Sequence, residues 1–91
     1  MTGGETGLPQ IPSCVVLVAR LFPGRNADLV RLAESSAPFR SLCEDYELAT
    51  ETLQRLELQT QPEDVERMAE YRLLVAELQC ELSRTLDAES K

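Results

Sequence analysis

Histidine and tryptophan are absent from this chain, lysine occurs once at Lys91, and there are only 4 glycines. Without histidine there is no imidazole to act as a general base near neutral pH or as the commonest metal ligand. Lysine and arginine together number 9 against 16 acids, a net charge of −7, and they are not clustered. Counterion release at phosphates needs clustered cations, so direct nucleic-acid binding and adsorption to anionic membranes are both disfavoured. A long apolar run is also missing. The longest, CVVLVA with LF after Arg20, is about half of the roughly 20 residues that cross a bilayer, so no membrane span is expected. Cys14, Cys43 and Cys80 lie 29 and 37 positions apart, a spacing of neither a zinc ribbon nor a CxxC redox pair, and no metal or cofactor site is read. An odd thiol count, with no basic n-region in Met1 to Gln10, leads to the expectation of reduced cysteines in a cytoplasmic protein.

What is present is leucine, glutamate, arginine and alanine, a composition that favours helices over sheets. A chain of 91 residues forms one small domain, which buries limited surface unless its helices pair closely or a second copy adds area. The expected fold class is therefore all-α. The acidity is uneven: residues 1–43 carry three acids and four arginines, residues 44–89 thirteen acids and four arginines.

The strongest pattern is Phe39, Leu42, Tyr46, Ala49, Leu53 and Leu56, at steps of 3, 4, 3, 4 and 3. This is a heptad stripe along one side of a helix. Pro38 is tolerated in a first helical turn, so that helix is expected over 37–59, about 35 Å at 1.5 Å per residue. Thr60-Gln61-Pro62-Glu63 reads as a capping box, with Asp64 and Glu66 complementing the positive end of the next helix dipole. That helix is expected over 62–88, where Met68, Tyr71, Leu74, Val75, Leu78, Leu82 and Leu86 fall within about 120° on a helical wheel. Two long helices joined by so short a loop fold back as an antiparallel hairpin and pair these stripes.

Ahead of the hairpin, residues 1–13 are rich in glycine and proline and are expected to form a flexible tail. The apolar block from Cys14 to Phe22 fits a strand through its valines or a short helix capped by Ser13. A helix with Leu17, Val18, Leu21 and Phe22 on one side is expected, because a lone strand has no visible partner. Pro23-Gly24 stops it, and Asn26 is placed to cap a second short helix over 27–35, with Asp28 in its first turn. Residues 14–88 form one helical domain, and 89–91 are expected to fray.

A second, thinner stripe on the last helix, Ala69, Leu73, Ala76 and Cys80, steps by 4, 3 and 4 on the side away from the first. Either the N-terminal segment covers it or a second subunit packs there, as in a bundle of two hairpins. Leu48 stands apart on the back of the first long helix.

From Leu21 onward, Leu21-Phe22-Pro23, Leu29 to Leu32, Phe39 with Leu42, Tyr46, Glu57 before the loop and Tyr71-Arg72-Leu73 in a leucine-rich last helix resemble the YdcH-like family of small uncharacterised bacterial helical-hairpin proteins. The resemblance covers about three quarters of the chain. It implies a helical hairpin and no catalytic residues. The sequence departs from the family in its extension before Leu21 and in using arginine where lysine is usual.

The one cluster with an enzymatic look is Cys43-Glu44-Asp45-Tyr46. Adjacent acids oppose thiolate formation, and consecutive helical side chains point about 100° apart, too far to converge on one ion. The carboxylates Glu63, Asp64, Glu66 and Glu70 read as a solvated helix start, and Arg67 and Arg72 as surface partners for them. The chain is accordingly expected to be a non-enzymatic helical interaction or scaffold protein that self-associates as a dimer or more and presents acidic helices to a protein partner. Two other readings stay open: an acidic regulator that masks a basic surface of a nucleic-acid-binding protein, and an accessory or redox-responsive enzyme subunit using Cys43.

Overall fold

The computed structural model describes residues 11–59 and 61–89. Helix α1 spans Ser13–Ala19, α2 Asn26–Ser35, α3 Ala37–Gln59 and α4 Val65–Glu89, with a 3₁₀ turn at Pro62–Asp64 ahead of α4. Among the described residues there is no strand, and the fold is all-α as the composition predicts. The expected tail over 1–10, the Thr60 half of the capping box and the last two residues lie outside the described residues.

The chemistry of the joints explains where each helix begins and ends. Ser36 is a double stop: its N–H donates to the Leu32 carbonyl at 2.9 Å, closing α2, and its hydroxyl accepts the Phe39 N–H at 3.2 Å, opening α3. Arg40 reaches back from α3, its Nη1 donating to the Ala33 carbonyl at 2.6 Å, which satisfies an acceptor that the end of α2 would otherwise leave open. Between α1 and α2 the Arg25 N–H donates to the Phe22 carbonyl at 3.1 Å around Pro23 and Gly24, and Gly24 holds φ +85°. Proline second and a positive-φ glycine third is the pattern of a type II turn.

Three local expectations are corrected. Asn26 is not the cap of α2: the Arg25 carbonyl accepts the Leu29 N–H at 3.0 Å, so the helix starts one residue earlier with no side-chain cap. Ser13 is not a cap either and is not part of a tail; it is the first residue of α1, with Pro12 ahead of it, and its hydroxyl donates to Glu47 Oε2 at 2.7 Å. The face that α1 buries is Cys14, Val15 and Val18, with Leu17, Leu21 and Phe22 half-buried around it.

Helices α3 and α4 pair antiparallel. Tyr46 receives a hydrogen bond from Gln79, and further along α3 Glu57 meets Arg72, so the contact on α4 moves back as α3 advances. The Arg72 pairing crosses the hairpin rather than joining Glu63, Glu70 or Asp64 along its own helix, a second correction of local reasoning by a non-local contact. α1 and α2 pack over the base of the hairpin, where Val15, Val18, Leu29, Phe39, Cys43, Leu82 and Leu86 are all under 2 % exposed. Arg25 ties this cap to the end of α4 through Asp28 on one side and the Leu86 carbonyl, at 3.5 Å, on the other. Toward the loop the hairpin is barer: of its paired stripes only Leu56 is buried there, with Leu53, Met68 and Tyr71 half-buried. The radius of gyration, 15.7 Å, exceeds the about 12 Å of a compact domain of this length.

Candidate interaction surface

The residues expected to line the hairpin core do not share one fate. Phe39, Tyr46, Ala49, Leu56 and Leu82 are buried, and Leu42, Leu53, Met68, Tyr71, Val75 and Leu78 are half-buried. Leu74 is 40 % exposed, because it lies at the margin of the apolar arc of α4 and its side chain turns onto the flank of the seam. Cys43 is wholly buried. α1 packs on the side of α3 that carries it, and nothing in the periodicity of α3 announces that neighbour.

The second stripe of α4 is open. Ala69, Leu73, Ala76 and Cys80 are exposed, and Val65 extends the row by one more turn. Leu73 is 62 % exposed and Val65 58 %. No described part of the N-terminal segment covers them, since α1 and α2 spend their apolar faces on the base of the hairpin. Helix α4 thus carries apolar side chains toward α3, along its outer face and, at Leu74, on the seam, more than one hairpin contact can bury.

The described residues hold no group of three or more Cys, Asp or Glu side chains placed to share an ion. Burial, the charge that the Cys14 thiol would carry and Glu44, in that order, push the Cys43 thiol up to about 12. At neutral pH a thiol of that acidity is ionised in about one molecule in 10⁵, far below what a nucleophile needs. Burial first, then Glu47 and Glu44, also raises Cys14. Cys80 is the exposed thiol.

The acids of the hairpin are largely uncompensated. Ion pairs engage Glu57 and Asp87, and Asp28 on α2, while Glu44, Asp45, Glu70, Glu77 and Glu81 form none with a described residue. No described helix is long and apolar enough to cross a membrane. The assembled surface therefore offers apolar rows on an acidic ground, an arrangement that suits protein contacts and opposes phosphate. No protein-family model, curated protein or solved structure matches the chain.

Proposed function

We propose that this chain is a non-enzymatic helical interaction module, cytoplasmic and akin to the YdcH-like hairpins, that self-associates through the outer face of α4 and presents acidic helices to a protein partner. The observation that carries the reading is the exposed row Val65, Ala69, Leu73, Ala76 and Cys80 on a helix whose core-facing row is already engaged. Such a row suits a second copy of itself. Run antiparallel about a twofold axis near Leu74 and Val75, two rows set Leu73 against the partner's Ala76, large against small, and Ala69 against the partner's Cys80, both small enough for close approach. The same register brings Glu66 beside the partner's Arg84, opposite charges at the two ends of one face.

Sedimentation velocity at micromolar concentration tests it. A dimer or larger species is expected for the native sequence, and a monomer of unchanged helicity for Leu73→Glu. A native monomer at every accessible concentration overturns the self-association reading. Register is tested by Ala69→Cys, which under mild oxidation is expected to cross-link to Cys80 of the second copy.

A further inference from the structure

On a different side of the hairpin from the outer row of α4, the seam between α3 and α4 stands open as two adjoining hollows that share Asp45. The loop-ward hollow, about 270 Å³, is walled by Leu48, Ala49, Tyr71, Leu74 and Leu78. The next, about 380 Å³, runs from Asp45 past Leu42 and Glu81 to Ser36. From Leu48 to Ser36 the trough follows α3 for about 18 Å, or roughly three helical turns. Leu48, 64 % exposed, and Leu74 rise beside it. What looked in the sequence like an isolated surface leucine is thus one wall of an apolar groove.

Charge says what the groove accepts. No lysine or arginine lines either hollow, whereas Asp45 and Glu81 do. Glu70 and Glu77 stand exposed one turn to either side of Leu74 on α4, and none of these four acids forms an ion pair with a described residue. The α4 helix of a second copy would bring further acids against these. An apolar floor about three turns long between acidic banks is complementary to a helix with apolar anchors at i, i+3 or i+4, and i+7, and with lysine or arginine on both shoulders.

We infer that the Leu48–Leu74 trough is a docking site for a basic amphipathic helix of a partner protein. This rests on the reading of the chain as an interaction module and names the partner class for its acidic side, but it does not depend on the outer face of α4. Leucines of the incoming helix fill the hollows flanking Asp45, and its cations meet Asp45, Glu81 and the acids on either bank.

The test uses the full chain and a fluorescein-labelled synthetic helix of about 18 residues, with leucines at heptad spacing flanked by lysines, titrated by anisotropy. Micromolar binding is expected, weakening at least about tenfold between roughly 50 and 300 mM salt. Leu48→Ser, at a side chain already in water, and Asp45→Lys are each expected to weaken it about tenfold with helicity unchanged. Leu73→Glu is expected to bind the peptide as the native chain does. Equal binding of a peptide with the same composition and scrambled leucines, or unchanged affinity in Leu48→Ser, overturns the inference. So does a peptide-free loss of self-association in Leu48→Ser, which would assign the groove to a second copy. Peptide binding by a chain that sediments as a monomer sinks the self-association reading alone, and a dimer that ignores the peptide sinks the groove alone.

Discussion

Replacing Leu82 by alanine measures how far stability resides in the capped base of the hairpin. Leu82 is 0 % exposed, in the core where α2 and α3 pack on α4. Removing about three carbons forfeits roughly 2.4 kcal/mol at about 0.8 kcal/mol per buried methylene. If about half of a vacated volume on the order of 80 Å³ persists as a cavity, a further 1 kcal/mol or so is lost at about 24 cal/mol per Å³. The sum, about 3.4 kcal/mol, is a large part of what a domain of this size possesses. At about 4–8 °C per kcal/mol, it lowers the melting temperature by roughly 14–27 °C. Leu73→Ala is the internal control. With Leu73 62 % exposed, the same bookkeeping leaves about 0.9 kcal/mol, or roughly 4–7 °C, and no cavity. The assay is thermal melting followed by helical circular dichroism at submicromolar and at high protein concentration. The Leu82→Ala deficit is expected to be large at the low concentration already. The Leu73→Ala deficit is expected to grow with concentration, because the proposed second copy would cover that side chain. A Leu82→Ala drop no larger than that of Leu73→Ala in dilute solution would refute the placement of the core.

Alkaline pH should expose the buried thiol. Cys43 has its folded pKa raised to about 12 from an ordinary 9.0, so the unfolded chain gives up that proton first. The stability this thiol contributes is fully present below about pH 9 and is lost as pH climbs toward about 12. Urea midpoints measured from about pH 8.5 to 10.5 should fall more steeply for the native chain than for Cys43→Ala, and equal slopes would count against it. At neutral pH, in solution dilute enough to hold the chain as a monomer, a thiol reagent should label Cys80 quickly and the other two cysteines only as fast as the protein opens. Across the hairpin, Gln79 Nε2 donates to the Tyr46 hydroxyl at 3.2 Å. Tyr46→Phe should cost about 1 kcal/mol, and a double-mutant cycle with Gln79→Ala should return a coupling of about 0.5–1 kcal/mol in urea denaturation, with zero coupling refuting the contact.

The hairpin was the most legible part of the fold because its signals are local and redundant. Six apolar residues at heptad steps, a proline inside the first turn and a proline after the loop place α3 at Ala37–Gln59, the bounds expected from the sequence. Apart from the one-residue shift in the start of α2, the failures involve a neighbour distant in sequence. Cys43 is sealed by α1, Arg72 finds Glu57 across the hairpin instead of an acid on its own helix, and Ser13 turns to Glu47 instead of capping. Leu48 could not be recognised as a groove wall, because its counterpart Leu74 lies 26 positions away on the other helix. Only the antiparallel register sets the two side by side.

The division between a closed base and an open arm follows from one turn. Gly24 in its positive-φ conformation, with Arg25 anchored to Asp28 and to the end of α4, folds α1 and α2 back onto the end of the hairpin away from the loop. With α1 and α2 carrying seven and ten residues, they span only about 10 and 15 Å. They cannot also shield 23- and 25-residue helices along their whole length. Had the block from Cys14 to Phe22 paired instead with the outer row of α4, Leu73 would be covered and the base would stand open to water. The α1 side chains under 5 % exposed, Cys14, Val15 and Val18, lie against the base, so the same apolar residues cannot serve the arm. The apolar rows of the arm follow from this arithmetic of short caps on long helices, and they make association with other helices the natural way to remove that surface from water.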